Sequence, residues 1–162
     1  MTEVSDRVRR AFRDHGSFER VDAGRYESVT TPFEGVVEAA TGDGESVRFD
    51  VTVRVPTLSA SVDGDVADVV EEGWYETFER RMAGMGGVTG GDHDLSPGVD
   101  RRGDEVAVRA SFADLNERRG VDDANAVINY VEGTYVQGVI PGYDYTGAVT
   151  QLVERARQTG ER

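Results

Sequence analysis

The chain has 162 residues and carries 31 acidic against 18 Lys and Arg side chains, a formal net charge of −13. It contains no cysteine, and all 18 of those basic residues are arginine. These absences exclude disulfides, thiolate zinc sites, thiol nucleophiles and the lysine chemistry of a P-loop or a Schiff base. No apolar run approaches the roughly 18 residues of a membrane span, and no leader opens the chain. We therefore expect one cytoplasmic domain over residues 1–162.

The acidic excess argues against nucleic acid as a partner, because phosphate binding depends on basic side chains. The absence of lysine and the 20 glycines are also typical of a halophilic archaeon. In molar salt the Debye length falls to about 3 Å, so surface carboxylates repel one another only weakly. Within an acidic proteome, net charge would say little about the partner.

The chain begins with a predicted helix and two predicted strands. The helix spans about 5–15, with Ser5 as its cap and Gly16 as its stop. Strands follow over 26–31 and 33–40, because the period of the apolar residues changes to two.

A third strand follows, and its pattern is the clearest in the sequence. Apolar and polar residues alternate strictly and then stop at Pro56, which predicts a half-buried antiparallel strand. The residues predicted to face the core are Val47, Phe49, Val51, Val53 and Val55.

Helical spacing returns at Asp65 and predicts an amphipathic helix. The glycine-rich segment 84–91 predicts a flexible loop, and because it follows a helix its amides lie at the wrong end to hold a phosphate. Two further strands, 95–99 and 105–112, are joined by a turn at 100–103. The apolar stripe predicted for the helix consists of Val66, Val69, Val70, Trp74, Phe78 and Met82.

Two helices complete the chain. Asp122 or Asp123 caps the first and Pro141 breaks it, and the second spans about 145–158 with Ala156 turned inward. The order α-β-β-β-α-β-β-α-α has no crossover helix between each pair of strands, which predicts the α+β class. We expect a five-stranded, mainly antiparallel sheet with helices packed on one face.

Three segments carry a resemblance to a known family: 30–34, 53–58 with 73–81 after it, and 130–145. They resemble an uncharacterised haloarchaeal family, a domain of unknown function, across nearly the whole chain. That resemblance implies no activity. The element order is more loosely similar to the type III secretion chaperone-like fold, in which small acidic α+β domains often dimerise and hold a partner segment.

The segment Gly138–Tyr145 is the most unusual stretch, with Pro141 and two tyrosines between two helices. Its rings and the Asp144 carboxylate could line a pocket or anchor a partner. Alternatively the segment is a helix–helix corner in which Asp144 caps the second helix. Trp74 is predicted to lie in the core, and Tyr75, about 100° round the helix, at an exposed rim.

Three adjacent residues, Asp92, His93 and Asp94, form the one sequence cluster that suggests a metal or acid–base site. In an extended loop Asp92 and Asp94 would share one side and His93 would point away from them, so we expect solvated surface and no metal or cofactor. The second histidine, His15, is predicted to interact with a helix C-terminal dipole. Arg80 and Arg81 could bind an acidic group, but pairs within their own helix are the simpler expectation.

These observations predict a non-enzymatic binding or scaffold protein that acts through an aromatic surface on an unidentified protein partner, as a homodimer. The residues predicted for that surface are Trp74, Tyr75, Tyr135, Tyr143, Asp144 and Tyr145.

Two alternatives stay open. The first is a small-ligand enzyme that uses Asp144 or Glu132 as the acid–base residue and Tyr135 and Tyr143 as orienting hydroxyls. The second, the least favoured, is nucleic-acid binding by a contiguous arginine face. That face would be drawn from Arg7, Arg9, Arg10, Arg13, Arg80 and Arg81.

Overall fold

Five α-helices and eight strands make up the regular structure in the computed structural model, which describes residues 6–91 and 93–160 and, for 156–160, the backbone alone. A 3-10 helix, Met82–Val88, continues the third α-helix. The helices are α1 (Asp6–His15), α2 (Leu58–Ser61), α3 (Asp68–Arg81), α4 (Glu117–Gln137) and α5 (Ala148–Gly160). The strands are β1 (Phe18–Asp22), β2 (Arg25–Ser28), β3 (Glu34–Thr41), β4 (Val47–Pro56), β5 (Val62–Asp63), β6 (Gly98–Arg102), β7 (Glu105–Asp114) and β8 (Asp144–Tyr145).

The main sheet has six strands in the order β1-β2-β3-β4-β7-β6, and every neighbouring pair is antiparallel. The α+β class and the antiparallel sheet are therefore confirmed, but the predicted count of five strands is wrong, and the predicted element order lacks β1, α2, β5 and β8. The additional strand is β1, which turns into β2 at Gly24, where φ is +70°. Phe18 is the one buried residue of β1, so the strand carries no alternation that a sequence pattern could reveal.

The core lies on one face of this sheet. Val51 of β4 stands opposite Val37 of β3 and Ala110 of β7, and all three are buried. The intervening residues of β4, such as Thr52 and Arg54, are half-buried on the other face. The predicted alternation of β4 is confirmed, since its inward residues Phe49, Val51, Val53 and Val55 are each at most 1 % exposed.

Helix α4 packs on that apolar face against β4 and β7, and α1, α3 and α5 contact α4 in turn. The approach is closest at Gly120, where a β-carbon would lie 2.5 Å from Cζ of the Phe49 ring. A glycine is needed here because it removes the atom that would otherwise hold the helix away from the sheet.

Helix α4 is longer at its start than predicted. Asn116 is its cap, and its side-chain oxygen accepts a hydrogen bond from the Arg119 amide at 3.0 Å. Asp122 and Asp123 therefore lie inside the helix and cap nothing. The helix ends at Gln137, before Pro141, and Asp144 caps no helix because it pairs with Asp63 in the small β5–β8 sheet.

Other predicted bounds also shift. Helix α3 begins at Asp68, and Val69 is 79 % exposed, so its place in the apolar stripe is wrong. Strand β6 spans 98–102 and the hairpin turn falls at Gly103, where φ is +58°. Strand β2 ends at Ser28, before the predicted 31. The predicted roles of Ser5, Asp92 and the Ala156 side chain lie outside the described residues.

Candidate functional site

A groove of about 350 Å³ lies between α3, the end of α4 and the segment 138–141. Trp74 and Phe78 of α3 line one side, and Ile140 and Pro141 line the other. The groove is mainly apolar, and it opens on the surface of a chain whose formal net charge is −13. An apolar concavity with a few polar groups at its edge is the usual form of a binding site.

Trp74 forms the floor of this groove. Its ring stacks on Phe78 with centroids 5.5 Å apart and meets Tyr135 edge-on at 5.6 Å. The indole N–H makes no hydrogen bond to the described part of the chain. A β-carbon at Gly138 would lie 3.1 Å from the indole nitrogen, so the glycine leaves the space beside this donor free.

Gly73 lies on the approach to the same groove. A β-carbon there would have no atom within 4 Å, although the residue sits inside α3, where glycine costs about 1 kcal/mol against alanine. No packing contact at this position requires a glycine. Because Gly73 has no side chain, it leaves the groove open next to Trp74.

Arg81 stands at the rim of the groove and is exposed. Its guanidinium makes no ion pair with any described residue, and the same holds for Arg80. The pairs predicted within their own helix are therefore absent from the described structure. The backbone carbonyl of Arg81 accepts a hydrogen bond from the Tyr130 hydroxyl at 2.5 Å, which joins the end of α3 to α4.

The other predicted aromatic residues lie away from the groove. Tyr75 lies beneath the Arg101 guanidinium, 4.2 Å from the ring centroid, and burial raises the pKa of its hydroxyl. Tyr135 is 2 % exposed and its hydroxyl donates to the Pro56 carbonyl at 3.0 Å. Burial also raises the pKa of Tyr135 strongly, so this hydroxyl is a core hydrogen bond and is not free to orient a substrate.

Tyr143, Asp144 and Tyr145 come together around a small cavity of about 160 Å³. The Tyr145 hydroxyl accepts a hydrogen bond from the Ile140 amide at 2.8 Å, which fixes the segment after α4. The segment joins α4 to α5 through β8 and lines this cavity, so the predicted Asp144 cap is wrong, and a role of these residues in binding stays a prediction. Glu132 lies half-buried on α4 and makes no hydrogen bond or ion pair within the described chain.

The prediction that His93 lies on the solvated surface is wrong. Its side chain is buried between two carboxylates that are distant in sequence. Its Nε2 atom lies 2.9 Å from Oδ2 of Asp123 and 3.4 Å from Oδ2 of Asp114. The three side chains are 6 %, 4 % and 1 % exposed, respectively. We call these three residues the His93 cluster. The neighbouring Asp94 is exposed.

The glycine-rich segment 84–91 contacts the His93 cluster through its backbone amides. The amides of Gly90 and Gly91 donate to the two oxygens of Asp123 at 2.7 and 2.9 Å, so a carboxylate of α4 takes up these donors, and the expectation that the segment holds no phosphate stays a prediction. A β-carbon at Gly91 would lie 2.5 Å from His93 Nε2, which is why glycine is needed there. The predicted flexible loop over 84–91 is in part regular structure, since the 3-10 helix Met82–Val88 covers its first residues and Met85 is fully buried.

Asp114 is held by Arg119, whose Nε and terminal nitrogen each donate at 2.8 Å, and by the Asn116 amide at 2.8 Å. Burial alone would raise the pKa of this carboxyl, but the hydrogen bonds and the charge of Arg119 outweigh it and leave the pKa below its usual value. His15 likewise contacts a carboxylate, Asp122, at 3.0 Å, in addition to its place at the C-terminus of α1.

The ligand atoms of the His93 cluster lie within 4.8 Å of one another, so the three residues could in principle hold a metal ion. However, both oxygens of Asp114 and of Asp123 already accept N–H donors. A cation would have to displace those donors. The arrangement is complete as a buried network of ion pairs and hydrogen bonds that attaches the glycine-rich segment to α4.

Comparison with known proteins places the chain in a family. No curated protein and no solved structure matches it, so its looser similarity to the secretion chaperone-like fold stays a prediction. Within the described residues, no helix combines the length and apolar character needed to cross a lipid bilayer. The model of a family of unknown function, DUF5813, matches residues 13–155, and the chain therefore belongs to that family.

Proposed function

We propose that this protein is a non-enzymatic binding domain that holds a short segment of a partner protein in the groove between α3 and α4. The observation that carries the proposal is the Trp74 indole N–H, which has no acceptor among the described residues and lies beside Gly138 in an apolar groove. The indole nitrogen is not among the fully buried polar atoms that lack a partner, so it is open to the groove, where a backbone carbonyl of a bound segment accepts its hydrogen bond in place of water.

The groove defines the chemistry of its occupant. A volume of about 350 Å³ accommodates a large apolar side chain. The indole N–H can donate a hydrogen bond to a backbone carbonyl, which every peptide carries. The Arg81 guanidinium, which makes no ion pair with the described residues, can pair with a carboxylate. We therefore expect a peptide segment with one large apolar residue and a nearby Asp or Glu.

The experiment uses the fact that Trp74 is the one tryptophan of the chain, so that a ¹⁵N-labelled sample gives a single indole N–H signal. Peptides selected from a random library on the immobilised protein are synthesised and titrated into that sample. We expect selected sequences to combine an apolar residue with an acid, and to move the indole signal as they bind.

The matched variants are Arg81→Glu and Arg80→Glu, because both side chains are exposed and unpaired in the described structure but Arg81 alone lines the groove. We expect Arg81→Glu to weaken peptide binding at least about tenfold, the value of one charge-assisted hydrogen bond. Arg80→Glu should leave the affinity unchanged, and both variants should unfold at the same temperature as the parent.

Two results would contradict the proposal. One is a set of selected peptides that bind without moving the indole signal. The other is an indole signal that moves with protein concentration alone, together with dimers in sedimentation. That result would make a second copy of the chain the occupant.

We also infer that this binding takes place in the salt-rich cytoplasm of a halophilic archaeon. The support is compositional: 31 acidic residues, 18 arginines and no lysine. At such ionic strength long-range attraction is screened, and a partner is recognised by short-range contacts of the kind that the groove offers.

A further inference from the structure

A second cleft, of about 530 Å³, lies between α1 and the β1–β2 hairpin, on elements that do not line the groove. Its charged lining differs from the rest of this acidic molecule. Four arginines border it against one acidic residue, Asp6. The arginines are Arg9, Arg10, Arg13 and Arg20.

The sequence spacing explains why these arginines converge. Arg9, Arg10 and Arg13 follow a helical repeat and lie on one side of α1. Arg20 stands directly opposite Tyr26 in the β1–β2 register, so the two side chains emerge on the same face of the hairpin. Helix α1 and strand β1 thus direct positive charge into one cleft, and β2 contributes Tyr26.

Tyr26 forms the inner wall of the cleft and is 2 % exposed. Its ring stacks on Phe12 with centroids 3.8 Å apart and an interplanar angle of 3°. Its hydroxyl is buried and has no hydrogen-bond partner among the described residues. Buried polar groups are normally satisfied, so an unpartnered hydroxyl in the wall of a cleft indicates a group that comes from outside the chain.

The ion pairs leave part of the positive charge uncompensated. Arg9 pairs with Asp6 at 2.5 Å, and Arg13 lies 3.7 Å from Asp14. Arg10 and Arg20 make no ion pair with any described residue. These two guanidiniums and the Tyr26 hydroxyl form a set of hydrogen-bond donors that has no acceptor in the described part of the chain.

We propose that this cleft binds the phosphate groups of a small phosphorylated molecule. Guanidinium groups match phosphate oxygens in paired hydrogen bonds, and several arginines around one site suit a multiply charged anion better than a single carboxylate. Arg10 and Arg20 hold the anion, and the Tyr26 hydroxyl donates to it. The volume lies in the range of about 300–1,000 Å³ that is usual for small-ligand sites.

Calorimetric titration of the full chain with inorganic pyrophosphate, ATP and a 20-nucleotide single-stranded RNA tests the proposal. We expect pyrophosphate and ATP to bind at about 0.1 M salt, and a double variant, Arg10→Gln with Arg20→Gln, to weaken both at least tenfold. Tyr26→Phe should weaken binding several-fold without lowering the unfolding temperature, because the hydroxyl has no partner within the protein to lose.

The matched control is Arg25→Gln, since Arg25 is adjacent to Tyr26 in β2 but is exposed and does not line the cleft. It should leave binding unchanged. Equal affinity of pyrophosphate for the parent and the double variant would overturn the proposal. So would RNA that binds more tightly than pyrophosphate and ATP, because the ligand would then be a nucleic-acid backbone.

Discussion

Asp114 has a side chain that is 1 % exposed, and it stays ionised because Arg119 and the Asn116 amide donate to both of its oxygens. Its folded pKa therefore lies below the ordinary value of 3.8. A carboxyl whose pKa falls on folding stabilises the protein above its unfolded pKa, and that stabilisation disappears as the pH falls toward the folded value.

We accordingly predict that Asp114→Asn lowers the free energy of unfolding at pH 7 by about 1–3 kcal/mol, since the buried side chain loses its charge-assisted hydrogen bonds with the exposed Arg119 guanidinium. The difference from the parent should shrink below about pH 4, where the Asp114 carboxyl of the unfolded parent begins to protonate while that of the folded parent stays ionised. Urea unfolding at a series of pH values measures it. Asp94→Asn, at an exposed carboxylate, is the control and should change little. A difference that stays constant down to pH 3 would refute the linkage.

Residue roles were predictable from the sequence only where neighbours along the chain decide them. Trp74 and Phe78 are buried as their helical spacing predicts. His93 was misjudged because its partners, Asp114 and Asp123, are 21 and 30 positions away and come from a strand and a helix. A pattern of neighbouring residues in the sequence cannot show that these three side chains lie close together. The unpartnered Tyr26 hydroxyl is equally invisible, since it depends on how α1 crosses β2.

Helix α4 offers a test at the scale of one element, because it contains a glycine on its packed side and another on its open side. A β-carbon at Gly120 would lie 2.5 Å from Cζ of Phe49, which is 0 % exposed and has no room to move. A β-carbon at Gly133 would meet nothing within 4 Å. Replacing either glycine with alanine improves the helix propensity equally. A difference in stability between the two variants therefore reports the packing at each position.

We predict that Gly120→Ala lowers the free energy of unfolding by about 1–3 kcal/mol, the usual cost of an overpacked core. Gly133→Ala should raise it by up to about 1 kcal/mol through helix propensity. Chemical denaturation of the two variants measures both. Equal effects of the two substitutions would mean that α4 does not approach the sheet at Gly120.

Elements were predictable where burial imposes a clean period. Apolar and polar residues alternate along β4 because α4 covers one face of the strand and the other face is half-buried. This alternation made the strand predictable from the sequence. Strand β1 has one buried residue and no such pattern. The start of α4 was missed because its first turn is polar and because Asp123, buried by the Gly90 and Gly91 amides, resembles a cap in the sequence.

At the scale of the whole molecule, the excess of negative charge determines how the stability of the fold depends on salt. The described ion pairs are largely exposed, and exposed pairs contribute about 0–1 kcal/mol each. The excess of 31 acidic over 18 basic residues instead produces repulsion throughout the folded chain. Raising the ionic strength from about 0.1 to 1 M shortens the Debye length from about 10 to 3 Å, which weakens that repulsion more than it weakens the contact pairs.

We therefore predict that the unfolding temperature at pH 7 rises by about 5 °C or more between 0.1 and 1 M KCl, a shift that corresponds to roughly 1–3 kcal/mol for a domain of this size. Salt can also stabilise proteins through exclusion from the surface, so the control repeats the scan near pH 4.5, the isoelectric point of the sequence. There the net charge is close to zero and the shift should largely vanish, because nothing remains to be screened. A shift of the same size at both pH values would show that surface exclusion, and not the acidic excess, produces the salt dependence.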